Sequence, residues 1–542
     1  MPDRGIKLAP ARARAGKSEA IVSICAQADH EAKAAHSRLT TIKGGCAMKR
    51  RTFCEMTLLA GAAAALPLGR VISAPSQSSH TEPADLRAVK LSGAETVIER
   101  AAVRDFRASL RGTLFSPGQE GYDAARRIWN GMIDRHPALI ARCADVADVV
   151  RAVTFARERE LLLAVRGGGH SFPGYSTCDG GLVIDLSSMN SVRLQAATQT
   201  AHVGGGAWVV NVDAATQKQG LATTLGQISN TGVGGLTLGG GFGWLSRRFG
   251  LACDNLVSAQ IVTADGKIRR VSEKDAPDLF WAIRGGGGNF GVATSFEYRL
   301  HPLPPDVLAG HIDYPASQFK DAIAFYADLI TKAPRELSVD LSLARAADGQ
   351  PGAAIYVLYT GDSKAGSKVL EPLQRFGKPL RNTIGPKTYL AVQSQFDGPP
   401  VDPSNNYIKG GFVREYSAGL IEVLARDFRP DDRISAFFQS ANGAVADVPQ
   451  TATAFSHRNA IANMMLGGHW DDASYNEQGR AMVRANWDKV AAFTDGYYVN
   501  LNDADPKGTD RNYGPNFPRL AALKKQFDPL NLFRLNANIK PA

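Results

Sequence analysis

His170 closes the run Arg166-Gly167-Gly168-Gly169-His170-Ser171 and is the side chain in this sequence best set for chemistry. Two more glycine clusters follow, Gly226–Gly243 and Gly285–Gly291. Glycine lets backbone N–H groups converge on an anion without Cβ obstruction, and it takes positive φ without strain. A pyrophosphate needs that kind of surface. None of the clusters has the spacing of a Rossmann fingerprint, and there is no GxxxxGK[ST] phosphate loop. Taken together, the clusters point to a dinucleotide cradle of another design, with ordinary tight turns as the alternative. His170 by itself reads as a loop histidine bonded to backbone. No second His, Cys or carboxylate stands at ligand spacing beside it, so a metal is not expected there.

The elements around these clusters alternate. Val146, Val149, Val150 and Val153 share one face of a helix over Asp145–Glu158. Leu161–Val165 and Leu182–Leu186 read as strands on either side of the first cluster. A helix from Ala207 should end at Gly220, a natural C-cap. Ala264-Asp265-Gly266 between two strand-like runs signals a hairpin, and Val292–Leu300 is a further strand. Pro302, Pro304 and Pro305 mark a boundary, beyond which the glycine clusters thin out. There Leu308–Tyr314, Leu337–Leu343, Ala354–Tyr359 and Ile434–Ser440 read as strands, alternating with helices such as that carrying Phe319, Ile323, Tyr326 and Ile330. The result is an α+β second half. A helix over Arg519–Phe527 opens the tail.

A chain of 542 residues with 44% hydrophobic content is long enough for at least two packed domains. Its formal charge of +10 is concentrated in the N-terminal tract, and no basic stripe interleaved with aromatics follows, so nucleic acid is not an expected partner. Lys49-Arg50-Arg51-Thr52-Phe53 precedes an apolar run from Met56 to Leu68. A twin-arginine pair before a short apolar segment resembles a Tat signal, which predicts export to the periplasm or the exterior. The run is shorter than the roughly 20 residues of a spanning helix, so stable membrane insertion is not expected. Of the cysteines, Cys25, Cys46 and Cys54 fall in the extension or signal. Cys143, Cys178 and Cys253 remain, an odd number with no CxxC. Buried thiols are expected, with a Cys143–Cys178 disulfide as the alternative.

The first cluster, continued by Phe172-Pro173-Gly174-Tyr175, resembles the covalent-flavin motif of berberine bridge enzyme-like oxidoreductases, members of the vanillyl-alcohol oxidase superfamily. Thr231–Leu245, Leu251–Leu256, Leu279–Gly291 and the stretch from Tyr513 to Ile539 are similar to further motifs of that family, in order and spacing. The resemblance covers about residues 122–542. It implies an α+β fold in which a two-lobed PCMH-type FAD-binding domain, built from residues 122–302 and a returning tail over 506–542, meets an antiparallel-sheet-and-helix substrate domain over 303–505. Residues 1–47 would be an extension or mis-assigned start, 48–74 the signal and 75–121 a linker. FAD is implied as cofactor, with His170 as covalent anchor. The other implied contacts are Arg166, Gly167, Gly168, Gly169, Ser171, Gly174, Gly226, Ser229, Thr231, Gly232, Gly234, Gly235, Gly241, Gly243, Asp254, Asn255, Val262, Asn536 and Asn538.

The family resemblance further implies hydride transfer from a C–H beside an O–H or N–H of a small organic substrate (a sugar, alcohol or secondary metabolite), with O2 as electron acceptor. The sequence departs from the family in three places. Ile228 stands where many relatives carry a second, cysteinyl tether, so a single link is expected. Leu501 and Phe172 occupy positions where relatives place a tyrosine base. Tyr498 is then the candidate base, with His469 and Asp340 as further candidates. Each also has an ordinary reading, as a packing aromatic, a loop residue after Gly467-Gly468 and a solvent-facing strand residue. A dehydrogenase using a quinone or protein acceptor, and a catalytically silent flavin-binding protein, are the alternatives.

Overall fold

The computed structural model describes residues 85–346, 348–501 and 508–542. Asp145 starts the first helix as the sequence predicts: its carboxylate accepts the Asp148 N–H at 3.1 Å, and helix Val146–Glu158 follows. The helix buries Val149, Ala152, Val153 and Phe155 on a sheet ordered Thr113–Phe115, Leu139–Arg142, Leu182–Asp185, Leu163–Arg166. The last three strands are parallel. Both faces of such strands are covered, which is why Leu139, Ile140, Ala141 and Leu182 form unbroken apolar runs with no exposure. Leu163–Arg166 feeds its carboxyl end into Gly167, the place where parallel sheets hold ligands.

The segment expected to be a linker over 75–121 is folded wherever it is described. Leu86–Val89 and Glu95–Ile98 form a hairpin, and helix Arg100–Ser109 buries Val103 and Phe106. Phe106 stacks on Phe155 at 4.1 Å. Asp148, fully buried, accepts the N–H groups of Arg111, Gly112 and Ala144 at 2.9–3.0 Å and ties the segment down. The extension and the Tat-like signal lie outside the described residues.

A second, antiparallel sheet runs Ile268–Ser272, Leu256–Val262, Val292–Arg299, Thr200–Gly204, Val192–Gln195. Its hairpin turns at Gly266, φ 77°. The tail returns here: helix Phe517–Phe527 packs Leu520 and Ala521 with Leu279, Ala282 and Ile283 of helix Pro277–Ile283. Lys524 and Asp528, both without exposure, pair at 2.7 Å, and Lys524 also donates to the Asn289 and Phe533 carbonyls.

The remaining half is one large antiparallel sheet. Its order is Arg381–Asn382, Asp306–Tyr314, Pro351–Tyr359, Leu337–Arg345, Ile434–Ser440, Ala462–Trp470, Asn405–Val413, with Gly385–Thr388 also beside Asp306–Tyr314. Helices Phe319–Lys332, Ala418–Arg426 and Asn476–Val490 cover one face through Ile323, Leu424 and Trp487. Val339, Leu341, Phe438 and Met464 point into that core. Since side chains alternate along a strand, Asp340, Ser342, Phe437, Gln439 and Met465 point the other way, toward the glycine-rich half. The observed fold is the α+β architecture expected. Cys143, Cys178 and Cys253 are buried free thiols, so the disulfide alternative falls.

Candidate active site

Between the two halves lies a cavity of about 1100 Å³. On one side its wall is the glycine clusters. Gly167, Gly168, Gly169, His170 and Ser171 line it, with Gly226, Thr231, Gly232, Gly234 and Gly235 of the second cluster. Gly168 and Gly232 explain why these positions take no side chain. A Cβ on Gly168 would lie 2.4 Å from the Gly232 Cα, and one on Gly232 would lie 2.3 Å from the Gly168 nitrogen. The two loops cross backbone on backbone.

His170 sits at this crossing. Trp129 stacks on its ring at 4.6 Å, and Phe172 meets it edge-on at 5.6 Å. Burial lowers its pKa to about 4, so the ring is neutral near neutrality. Its Nε2 is buried without a hydrogen-bond partner. The Asn536 Oδ1, at the end of the returning tail, is likewise buried and unpartnered, and Asn536 lines the cavity. An unmatched ring nitrogen and amide oxygen, beside loops whose crossing excludes a Cβ at Gly168 and Gly232, fit a bound dinucleotide.

Several expected contacts are placed elsewhere. The Arg166 guanidinium donates to the Ala125 carbonyl, and Gly174 makes a left-handed turn after Ser171 with φ 82°. Ser229 gives both its N–H and its hydroxyl to Asp397. The Gly241 N–H is bound to the Tyr498 hydroxyl and that of Gly243 to Ser246 Oγ. Asp254 forms a buried ion pair with Arg458 at 2.7 Å. The Asn255 amide donates to the Phe249 and Leu251 carbonyls. Val262 is fully buried in the core with Val292, and Asn538 lies off the cavity wall. These residues build the cradle rather than line it.

The candidate bases fare differently. Tyr498 reaches the cavity, but its hydroxyl accepts the Gly241 N–H at 3.0 Å and the Asn500 amide at 2.8 Å, and burial pushes its pKa up to about 12. A hydroxyl so held braces the glycine loop, and its raised pKa disfavours the phenolate that a base would need. His469 belongs to strand Ala462–Trp470 rather than a loop, and its Nδ1 faces Asn406 Oδ1 at 3.3 Å, off the cavity wall. Asp340 is not solvent-facing: it is fully buried behind Gln227. Leu501 and Phe172 line the cavity as apolar side chains.

Sequence reasoning missed Trp129, Gln227, Tyr356, Phe396, Phe437 and Gln439, which complete the wall. The alternation in Ile434–Ser440 was a usable signal, because it puts Ser435, Phe437 and Gln439 on one face.

A glycine-walled cavity at the carboxyl end of a parallel strand, facing a large antiparallel sheet, suits a dinucleotide, and comparison with known proteins makes the class an FAD-linked oxidoreductase. The FAD binding domain family matches residues 137–272, and the family described as berberine and berberine like matches residues 497–540. An FAD-linked oxidoreductase of Dictyostelium discoideum is 33% identical over 450 residues, covering 81% of this chain and 97% of the relative. (R)-6-hydroxynicotine oxidase of Paenarthrobacter nicotinovorans is 31% identical over 451 residues, with coverage of 80% and 97%. The crystal structure of 6-hydroxy-D-nicotine oxidase from Arthrobacter nicotinovorans matches with a TM-score of 0.74 at 29% identity, over 80% of this chain and 99% of that one. The chain belongs to the berberine bridge enzyme-like FAD-linked oxidoreductases.

Proposed function

We propose that this enzyme is an oxidase that holds FAD by one covalent bond, to His170, and removes hydride from a C–H next to an O–H or N–H of a small organic substrate, with O2 as electron acceptor. The observation that carries this reading is the neutral, buried His170 ring with an unpartnered Nε2 at the cavity wall. A neutral imidazole keeps a lone pair for bond formation, and Trp129 holds the ring in one plane. Ile228 lines the same cavity and offers no second attachment. When bound, FAD supplies the hydride acceptor and the route to O2. The protein's part is to hold it on the crossed glycine loops, with the Asn536 amide facing it, and to close the far side with the large sheet. A relative named as an oxidase at 31% identity supports the choice of O2 over a quinone or protein acceptor.

Denatured wild-type protein should keep its yellow, fluorescent flavin through gel filtration, and His170→Ala should release it. Release from the wild type would sink the covalent link. Photoreduced protein exposed to air should reoxidise within seconds and form one peroxide per flavin; sluggish reoxidation would favour the dehydrogenase reading. Export rests on Arg50 and Arg51. Replacing both with Lys should trap the protein in the cytoplasm of a bacterial host, and unchanged export would remove the Tat reading.

A further inference from the structure

The sheet face opposite the glycine loops carries one transverse row of polar residues. Asp340 pairs across the ladder with Tyr356, and Gln439 with Asn463. Asp340 Oδ1 accepts the Ser440 N–H at 2.7 Å, which joins the two halves of the row. Gln227 reaches over from the second glycine cluster and donates its Nε2 to Asp340 Oδ2. The Gln227 Oε1 accepts from Gln439 Nε2 at 2.6 Å, and the Gln439 Oε1 accepts from Asn463 Nδ2 at 2.9 Å.

The direction of this chain is forced. An ionised carboxylate only accepts, so the Gln227 nitrogen must face it; the Gln227 oxygen then faces Gln439, and the Gln439 oxygen faces Asn463. Gln227 and Gln439 both line the cavity. Each spends one hydrogen of its NH2 within the chain, which leaves one N–H on each for the cavity. Next to these donors stands an aromatic corner. Tyr356 meets Phe396 at 5.2 Å and 65°, Phe396 meets Phe437 at 5.8 Å and 83°, and Trp244 backs Phe396 at 5.8 Å. Among the described residues no Lys or Arg lines the cavity, whereas Asp397 and Asp402 do. Asp397 follows Phe396 in the chain, so an anionic substrate is disfavoured at this aromatic corner, apart from the glycine loops that would cradle a pyrophosphate.

We infer that the substrate is an uncharged aromatic ring bearing one hydrogen-bond acceptor, that the Gln227 and Gln439 amides read the acceptor while Phe437 and Phe396 flank the ring, and that Asp340 is the positioning residue that fixes which way those amides face. This rests on the reading of the cavity as a flavin site. Replacing a buried carboxylate by a neutral group of the same size often favours the fold, so an Asp here calls for a role other than stability. Orientation of the amides is that role.

Asp340 also makes the reading depend on pH. Burial pushes its carboxyl up to about 6, against the Ser440 N–H, the Gln227 amide and the Arg247 charge. Tyr326, from the covering helix Phe319–Lys332, and Tyr416 are the other titratable groups that act on it. Once protonated it donates as well as accepts, and the amide chain loses its single direction. Affinity for an acceptor-bearing ring should then fall below about pH 6.

The test titrates the purified holoprotein with acetophenone, ethylbenzene, benzoate and cellobiose, and reads the perturbation of the flavin absorbance. Acetophenone should bind about tenfold more tightly than ethylbenzene, which lacks the acceptor, and benzoate and cellobiose should leave the spectrum unchanged. Asp340→Asn should erase most of that tenfold preference and its pH dependence, with ethylbenzene affinity unmoved. Gln439→Leu carries the same comparison should the first variant not fold. Equal binding of the two rings in wild type, binding of cellobiose without acetophenone, or an undiminished preference in both variants would overturn the inference and leave the oxidase reading standing. A protein purified without flavin absorbance would overturn both.

Discussion

An ionised carboxylate inside a sheet is costly, and Asp340 is fully buried with Arg247 as the cation that acts on it. Its pKa is raised from 3.8 to about 6 by burial, so the neutral form favours the fold. The contribution is present below about pH 4 and is lost as pH rises through about 6. Asp340→Asn should therefore gain stability on wild type between about pH 5 and about pH 8, by on the order of 2 kcal/mol in urea unfolding. A gain that shrinks with rising pH would show the shift to have another source. The same variant should lose ring selectivity, so function and stability pull this residue in opposite directions. From the sequence, Asp340 was legible as a candidate carboxylate but not as a buried one. Its partner Gln227 lies 113 positions away on another half of the molecule, beyond the reach of strand periodicity. His170 was the reverse case: its place at the end of a glycine run marked it, and the structure added the unpartnered nitrogen. Tyr498 could not be judged from its type, because the Gly241 N–H that occupies its hydroxyl comes from far along the chain.

The glycine loops separate two reasons for lacking a side chain. Gly232 crosses Gly168 with no flexible atom to give way, so Gly232→Ala should lower stability by about 1–3 kcal/mol and reduce flavin content as well. Gly235 lies in helix Val233–Leu238, lines the cavity, and a Cβ there would meet nothing within 4 Å. Gly235→Ala should leave stability unchanged or raised by up to about 1 kcal/mol, yet reduce flavin content, since its Cβ enters cofactor space. Thermal melts and flavin-to-protein absorbance ratios check both. Full flavin loading of Gly235→Ala would remove that stretch from the cofactor wall. Helices and hairpins with clear periodicity were readable, as with Val146–Glu158 and the turn at Gly266. Strands Asn405–Val413 and Ala462–Trp470 were not, because Gly410-Gly411 and Gly467-Gly468 look like turns in sequence. In the sheet those glycines sit in ladder register, Gly410 opposite Met465 and Gly467 opposite Ile408. Helix Arg100–Ser109 lies in a polar stretch whose buried positions are only Val103 and Phe106, a pattern that allows one short helix without fixing its place.

At the scale of the whole molecule, the cavity keeps its shape only if the two halves move as one. Asn130 bridges them, donating to the Phe172 carbonyl on one side and the Asn406 carbonyl on the other, each at 2.9 Å. Asp397 holds Ser229, and Arg458 holds Asp254. None of these pairings is visible from local pattern, since the partners are joined by tertiary packing alone. Arg247 is the link that reaches the most separate segments of the substrate half. It follows the second glycine cluster directly, is 3% exposed, and donates to the Leu337, Ala441 and Ala333 carbonyls of the substrate half at 2.7–2.9 Å. Arg247→Met keeps much of the volume but strips those carbonyls of a donor, at about 1–3 kcal/mol for each one left buried and unpaired. The loss falls on the contact between halves rather than inside either core. Wild type should therefore unfold in one calorimetric transition and Arg247→Met in two, with flavin fluorescence following the second as the glycine-rich half melts. A single transition moved to lower temperature would show that Asn130, Asp397 and Arg458 suffice to couple the halves, and would assign Arg247 to local stability alone.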